Sequence, residues 1–430
     1  EICNLWTEAG DFAYRYLVNN YNAWAAEPWR WKFFYHTTNI RPLQLWGKAH
    51  GLIFLAARVK ERIESFNPDV IVCVHPTMNH LASVQCRKIG RELGKHIPFF
   101  TVITDLGSGS NLWFEQGVNK IYVPSEKLYQ IGKSQGIQDS TMIKTGLPIR
   151  VGFAVQAEKL GDRTTDQGKA YQREVREKLS LNKDKPMILV MGGGDGVGSL
   201  SEIADHLYAK LALQGIDATI CVICGRNSSL KEDLETRDWA NALSTPGRRR
   251  GNSHARRNFT RNPGIVEAMI ADEKSFYTKE LPTQGCVGVI SLGFITNMPE
   301  YMVAADILVS KAGPGTIAEA ASVGLPIMLT SFLPGQEYGN VDVVLESGFG
   351  DYCEDPAQIG MEVGCWLKNT ELLQKLQQAS LKMGNPLAGK DIVASIGSQT
   401  SKWMQLNEKH ENDPFYADAF DLISTPKRWM

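Results

Sequence analysis

No run of about 18 consecutive apolar residues occurs in this sequence, so nothing in it reads as a membrane-spanning helix. The apolar stretch Gly51-Leu52-Ile53-Phe54-Leu55-Ala56-Ala57 soon meets Arg58 and Lys60 and reads as an amphipathic helix. Neither sign of charge is in excess. Forty-six Lys and Arg face 47 Asp and Glu, a net charge of -1, which argues against a dedicated nucleic-acid binder. Cysteine is sparse and scattered: Cys3, Cys73, Cys86, Cys221, Cys224, Cys286, Cys353 and Cys365. Cys221 and Cys224 lie in an apolar run with no second Cys/His pair nearby. On a strand, an offset of three puts the two thiols on opposite faces, so they read as buried structural thiols in a reducing compartment rather than a metal or redox site. The apolar share of 43% and charged share of 22% are those of a globular protein, neither disordered nor fibrous.

A chain of 430 residues has the length of two or three domains. Residues 1–46 are rich in aromatics (Trp6, Trp24, Trp29, Trp31, Phe33, Phe34, Tyr35) suited to core or interdomain packing. From residue 50 a regular alternation sets in. Helices are expected over 50–66, 79–94 and 125–135, and strands over 69–74, 98–103, 120–123 and 142–144. Residues 151–170 are polar, carry Gly152, Gly161 and Gly168, and read as a linker. The alternation then restarts, with strands at 186–191, 218–224, 287–291, 306–310 and 325–330. Helices are expected at 171–179, 199–213, 298–304, 315–323, 337–347, 355–367 and 370–383. Short apolar strands alternating with amphipathic helices specify parallel sheets covered on both faces. The expected class is therefore α/β with two doubly wound domains, over 1–150 and 151–400, and a tail over 401–430. An insertion at 240–285 holds Arg248, Arg249, Arg250, Arg256, Arg257 and Arg261 with no acidic residue between Gly247 and Asn262. It reads as a solvated surface loop or as a loop resting on anionic headgroups.

In such sheets ligands bind at the carboxyl ends of the strands. Two glycine turns stand there. Gly192-Gly193-Gly194-Asp195-Gly196-Val197-Gly198 follows an apolar strand and opens a helix. Glycines let the backbone approach a phosphate, and a helix N-terminus offers unpaired N–H groups. It is not a P-loop, since no Gly-Lys-Ser/Thr follows. No acidic residue ends the next strand, which disfavours a nicotinamide enzyme. The second turn is Lys311-Ala312-Gly313-Pro314-Gly315-Thr316, with Glu319 one helical turn on. Gly315 and Thr316 suit a phosphate, and Glu319 suits ribose hydroxyls. A third element, Gln336 and Glu337, combines donors and acceptors fit for vicinal sugar hydroxyls. No Asp-x-Asp pair stands where it would hold a divalent ion. Neither metal nor cofactor is expected.

With these motifs in hand, residues 69–385 resemble the lipid-directed GT-B glycosyltransferases, and among them the monogalactosyldiacylglycerol synthases of plant and algal plastids. The stretches that carry the resemblance are Pro68-Asp69-Val70-Ile71 with His75-Pro76, and Thr104-Asp105-Leu106 with Trp113-Phe114. Further on come Gly146-Leu147-Pro148-Ile149-Arg150, residues 192–198, Cys224-Gly225-Arg226-Asn227 and Gly293-Phe294-Ile295-Thr296. The last are residues 311–319 and Gly335-Gln336-Glu337 with Gly339-Asn340-Val341. A peptidoglycan N-acetylglucosaminyltransferase is similar at a greater distance. The resemblance implies a GT-B fold of two Rossmann-like halves facing a cleft, and galactose transfer from UDP-galactose to diacylglycerol at a plastid envelope or thylakoid membrane. It implies that Phe294 and Ile295 hold the uracil and Glu319 the ribose. Arg150, Gly192, Gly193, Gly194, Gly196, Gly315 and Thr316 take the diphosphate, and Gln336 and Glu337 read the hexose.

On the acceptor side the resemblance points to His75, Asn79, His80, Asp105 and Trp113. His75, just after a strand and before a proline, suits a structural and a functional role equally. Relatives carry a His shortly before the tryptophan, whereas this chain has Gly107-Ser108-Gly109-Ser110-Asn111. The family's first strand and Gly-rich loop, with its His base, are expected upstream of Glu1. Partners implied are UDP-galactose, diacylglycerol and an anionic lipid surface, with no nucleic acid. Two other readings stay open: a lipid glycosyltransferase using glucose or N-acetylglucosamine, and a non-catalytic nucleotide-sugar-binding protein.

Overall fold

The structure, a computed structural model, describes residues 1–10, 40–192, 200–239 and 285–412, with Tyr16, Trp29, Phe33, His36 and Thr37. Its contacts divide the chain into two units. One holds Glu1–Pro148, Leu333–Tyr338 and Leu387–Met430; the other holds Ile149–Phe332 and Gly339–Pro386.

The first unit is built on a four-stranded sheet in the order β1 (Ile71–Cys73), β2 (Phe99–Val102), β3 (Lys120–Val123), β4 (Met142–Lys144), all parallel. Parallel neighbours need crossovers, and the helices Pro76–Glu92 and Glu126–Ser134 supply two of them. The first starts with proline at a position where the missing N–H costs nothing. The Ser125 side chain caps the second by accepting from the Leu128 N–H. One face of the sheet packs Phe99, Ile121 and Val123 against Ile63, Ile89 and Leu128. The other presents Phe100, Val102 and Tyr122 to Ile392 of the helix Ala388–Asn412. Tyr122 Oη donates to Ser395 Oγ at 2.9 Å, and Asn407 Nδ2 donates to the His96 carbonyl at 2.9 Å. That apolar face explains why residue 387 onward groups with the first unit, although sequence pattern puts residues up to 400 in the second. The helix expected over 50–66 is two helices, Arg41–Phe54 and Ala56–Glu64, meeting at the buried Leu55.

The second unit holds six parallel strands: β5 (Met187–Met191), β6 (Ala218–Gly225), β7 (Val287–Gly293), β8 (Ile307–Ser310), β9 (Ile327–Leu329) and β10 (Gly350–Tyr352). Their spatial order is β10-β9-β8-β5-β6-β7, so the chain reverses direction across the sheet between β5 and β8. This is the Rossmann order with its switch point. The two parallel sheets, each crossed over by helices, are the pair of Rossmann-like halves expected of a GT-B chain. Ile188, Val190, Ile220, Val222, Ile307 and Val309 form the centre of the second core with Leu207, Val363 and Trp366. Cys221 and Cys224 lie fully buried on β6, and burial pushes the Cys221 thiol up to about 12.

The linker expected over 151–170 is instead structured. It forms the helix Val151–Leu160 and the start of Asp166–Lys178. The side chain of Thr165 caps the second helix, and two of the glycines there serve close packing rather than freedom. A Cβ on Gly168 would fall 2.2 Å from the Asp162 carbonyl oxygen, and one on Gly152 3.1 Å from Pro299. Polarity misled the pattern because two buried arginines fasten this segment. Arg163 donates to the carbonyls of Val323, Ala305 and Met302 at 2.8, 2.6 and 3.2 Å. Arg176 pairs with Asp306 at 2.6 Å. Pattern also passed over β10, the helix Ser228–Thr236 and the helix Ala388–Asn412.

Candidate functional site

In the second unit the proposed donor residues collect at one edge of the sheet. Met191 of β5 pairs in register with Ser310 of β8 and with Ile223 of β6, and Gly225 of β6 pairs with Gly293 of β7. Gly192, the 311–316 turn and Phe294 with Ile295 therefore leave the sheet at its carboxyl edge. Gly192 and the 311–316 turn follow β5 and β8, the two strands that meet at the switch point. Gly193, Gly194 and Gly196 lie outside the described residues.

The second turn is the better defined. Gly313 precedes the helix Pro314–Ser322, whose first turn begins with proline. A Cβ on Gly315 would meet nothing within 4 Å, so there is open room in front of the helix N-terminus. Thr316, half-buried, brings a hydroxyl to the same turn. The amino end of this helix thus carries the positive end of the helix dipole with a hydroxyl beside it, the chemistry that suits an anion. Phe294 is 68% exposed just after β7, an apolar ring left in solvent.

Arg150 and Glu319 are brought together. Arg150 Nε lies 2.8 Å from Glu319 Oε1 and Nη2 lies 2.9 Å from Oε2, a fork-on-fork pair. The pair joins the residue before the helix Val151–Leu160 to the buried side of Pro314–Ser322. The guanidinium also sits 5.1 Å above the Phe153 ring. Of its five N–H groups, two serve Glu319 and three stay available to an anion. Sequence assigned these two residues to different parts of a nucleotide and gave no sign that one holds the other.

The acceptor-side candidates lie in the first unit, around the amino end of Pro76–Glu92 and the loop after β2. His75 is the residue before that helix; its Nδ1 lies 2.8 Å from Thr77 Oγ1, and Trp6 meets its ring edge-on. Loss of hydration lowers the His75 pKa. Asn79 is fully buried and donates to the Trp113 carbonyl at 2.9 Å while accepting from Thr101 Oγ1 at 2.8 Å, so it shapes the loop that carries Trp113. Trp113 is buried too, its indole N–H donating to Asp105 Oδ2 at 2.7 Å. Burial raises the Asp105 pKa against the opposing pull of that indole. Gln336 Nε2 lies 3.5 Å from Asp105 Oδ1, and Ser108 Oγ donates to the Gln336 carbonyl. Glu337 accepts from the Leu333 N–H at 2.7 Å and closes its own loop.

One cluster escaped sequence reasoning. His80 Nδ1 lies 2.9 Å from Glu115 Oε1, and Glu115 Oε2 lies 2.9 Å from Lys48 Nζ. Burial pushes the Glu115 carboxyl up, but hydrogen bonds from His80 and Lys48 outweigh it and leave the pKa lowered. The three residues are far apart in sequence, and no local spacing signals their meeting.

Comparison with known proteins gives the chain's relatives. The family model for monogalactosyldiacylglycerol (MGDG) synthase matches residues 1–149, and that for the glycosyltransferase family 28 C-terminal domain matches residues 271–342. Monogalactosyldiacylglycerol synthase 1, chloroplastic, of Arabidopsis thaliana is 30% identical over 397 residues, which are 91% of this chain and 63% of that protein. Monogalactosyldiacylglycerol synthase 3, chloroplastic, of the same plant is 31% identical over 392 residues, 89% of this chain and 69% of that protein. A solved structure, MurG of Acinetobacter baumannii, aligns over 80% of this chain and 77% of its own at 15% identity, with a TM-score of 0.49. The chain thus spans a little under two thirds of the first of these relatives and somewhat more of the second. Similarity sustained through both units, with the family's own model over the first, places this chain in the monogalactosyldiacylglycerol synthase family.

Proposed function

We propose that this chain transfers galactose from UDP-galactose to the free hydroxyl of diacylglycerol, with inversion at the anomeric carbon. The observation that carries the reading is the carboxyl edge of the six-stranded sheet. Gly192 and the 311–316 turn leave the two strands that meet at the switch point there, and Arg150 grips Glu319 beside the latter. Glu319 accepts from the ribose hydroxyls. The three remaining Arg150 N–H groups and the amino end of Pro314–Ser322 meet the diphosphate, while Phe294 and Ile295 pack on the uracil. Negative charge develops on the leaving diphosphate as the glycosidic bond breaks, and preorganised N–H donors stabilise it without reorganisation cost. The acceptor hydroxyl loses its proton to a base as its oxygen attacks the anomeric carbon from the face opposite UDP. The first unit takes the lipid, with Trp113, Asp105, His75 and His80 as the residues nearest the acceptor, and Gln336 and Glu337 read the hexose.

A lipid acceptor requires contact with a bilayer, and no described helix is long and apolar enough to cross one. The relatives' chloroplastic names support a plastid membrane, and we assign the chain to its surface. The arginines Arg248, Arg249, Arg250, Arg256, Arg257 and Arg261 lie outside the described residues; their charge supports a role against anionic headgroups.

The test is direct. Diacylglycerol vesicles are incubated with the chain and with labelled UDP-galactose, UDP-glucose or UDP-N-acetylglucosamine. Labelled monogalactosyldiacylglycerol from the first supports the reading. Product from UDP-glucose alone, or UDP binding without any lipid product, contradicts it.

A further inference from the structure

We infer that the outward face of the helix Arg41–Phe54 is the surface by which this chain enters a lipid bilayer. Positions on this helix divide sharply. Gln44, Lys48, Gly51, Leu52 and Leu55 recur at the spacing of one helical face. On that face Leu55 is buried, Gly51 lies against Leu81 of Pro76–Glu92, and Lys48 pairs with Glu115. The opposite face carries Leu43, Trp46, His50, Ile53 and Phe54. A soluble helix carries polar groups there. Instead Trp46 is 66% exposed, Ile53 73% and Phe54 60%, with Leu43 and Leu45 exposed as well. Trp46, His50 and Phe54 stack in a ladder, with ring centroids 5.2 and 4.7 Å apart, so the aromatic rings form one continuous strip.

Charge identifies the occupant. Residues 28–60 contain Arg30, Lys32, Arg41, Lys48, Arg58 and Lys60 and no Asp or Glu, in a chain whose net charge is -1. Arg58, exposed just beyond Phe54, makes no ion pair among the described residues. Lys48 and Lys60 are paired with Glu115 and with Glu64 and Glu92, so Arg58 is the unpaired cation of this stretch among the described residues. An apolar strip ending at Arg58, in a stretch with no acidic residue, complements an anionic bilayer surface, with tryptophan at headgroup depth. The helix has 14 residues, about 21 Å at 1.5 Å per residue, too short for a hydrocarbon core of about 30 Å, so it lies along the surface. The choice of a bilayer rests on the lipid acceptor proposed above. Lys48 joins the back of the same helix to Glu115 and His80 among the acceptor-side residues.

The experiment measures flotation of the full chain with phosphatidylcholine–phosphatidylglycerol vesicles, comparing wild type with W46S/F54S and, as a second variant, L43Q/I53Q. All four side chains are exposed, so circular dichroism and the melting temperature are expected to hold. Vesicle affinity is expected to fall at least about tenfold in each variant, since two large apolar groups no longer leave water. Unchanged affinity overturns the inference. So does loss only when the arginines of 248–261 become Ser, or a wild-type dimer that W46S/F54S splits in the absence of lipid. Galactose transfer to a short-chain diacylglycerol below its aggregation limit is measured in parallel. If no form transfers galactose, the functional reading fails while flotation still decides the surface.

Discussion

Replacing Glu319 by Gln removes the negative charge from the centre of the proposed nucleotide site while keeping its shape. The carboxylate is 12% exposed and its partner Arg150 55% exposed, so the pair is only half withdrawn from water. Its contribution to folding is accordingly small, about 1 kcal/mol or less. Ligand binding changes the arithmetic. A ribose diol donating to an ionised, Arg-held carboxylate makes charge-assisted bonds, and losing them in a site closed by the ligand costs about 1.5–3 kcal/mol. UDP affinity of Glu319→Gln measured by titration calorimetry is therefore expected to fall roughly 10- to 150-fold, with little change in melting temperature. Arg150→Met acts through the same carboxylate and also removes three N–H groups from the diphosphate. The two losses are expected to be less than additive, with a coupling of at least about 0.5 kcal/mol in the double variant. UDP affinity of Glu319→Gln within twofold of wild type would refute the assignment of this pair to the nucleotide.

Other consequences are separable from that one. Gly315→Val places a branched side chain in the open room before Pro314–Ser322; UDP affinity is expected to drop at least about tenfold with folding intact, since Gly is a poor helix former that loses nothing by replacement. Arg163→Met strands the carbonyls of Val323 and Met302, while Gln172 Nε2 still donates to that of Ala305 at 3.0 Å; denaturant unfolding is expected to show a loss of about 2–3 kcal/mol in the second unit. His96 has its pKa lowered by loss of hydration and accepts from Asn119 at 3.0 Å. The folded state thus binds this proton more weakly than the unfolded chain, so stability is full above the ordinary histidine pKa and is lost as pH falls through it. His96→Gln is expected to flatten the fall in melting temperature between about pH 7 and 5.

The alternation of apolar runs and amphipathic helices placed the core strands of both sheets within a residue or two, because buried parallel strands leave a strong apolar signature. The glycine turn over 311–316 was legible for the same reason: a strand, a glycine cluster and a helix start are local events. Three things were not local. The segment 151–170 is polar in composition, yet its Arg163, and Arg176 just beyond it, bury their charge against carbonyls and Asp306 that lie more than a hundred residues on. The helix Ala388–Asn412 covers a sheet formed by residues 71–144, and only the finished sheet shows the apolar face it fills. Within the site, the glycine turn pointed to Glu319 and the family resemblance to Arg150, but neither showed their mutual bond, and the resemblance named His80 without Glu115 or Lys48. Chemistry carried by pairs distant along the chain becomes visible when the fold brings them within 3 Å.

The claim on which the account stands is that a uridine diphosphate sugar seats on the carboxyl edge of the six-stranded sheet. Hydrogen–deuterium exchange of the full chain with and without UDP reads this peptide by peptide. Slowed exchange confined to peptides spanning 192–198, 293–297 and 311–319 is the predicted result. Protection elsewhere, with those three stretches exchanging as fast as in the free chain, would contradict it.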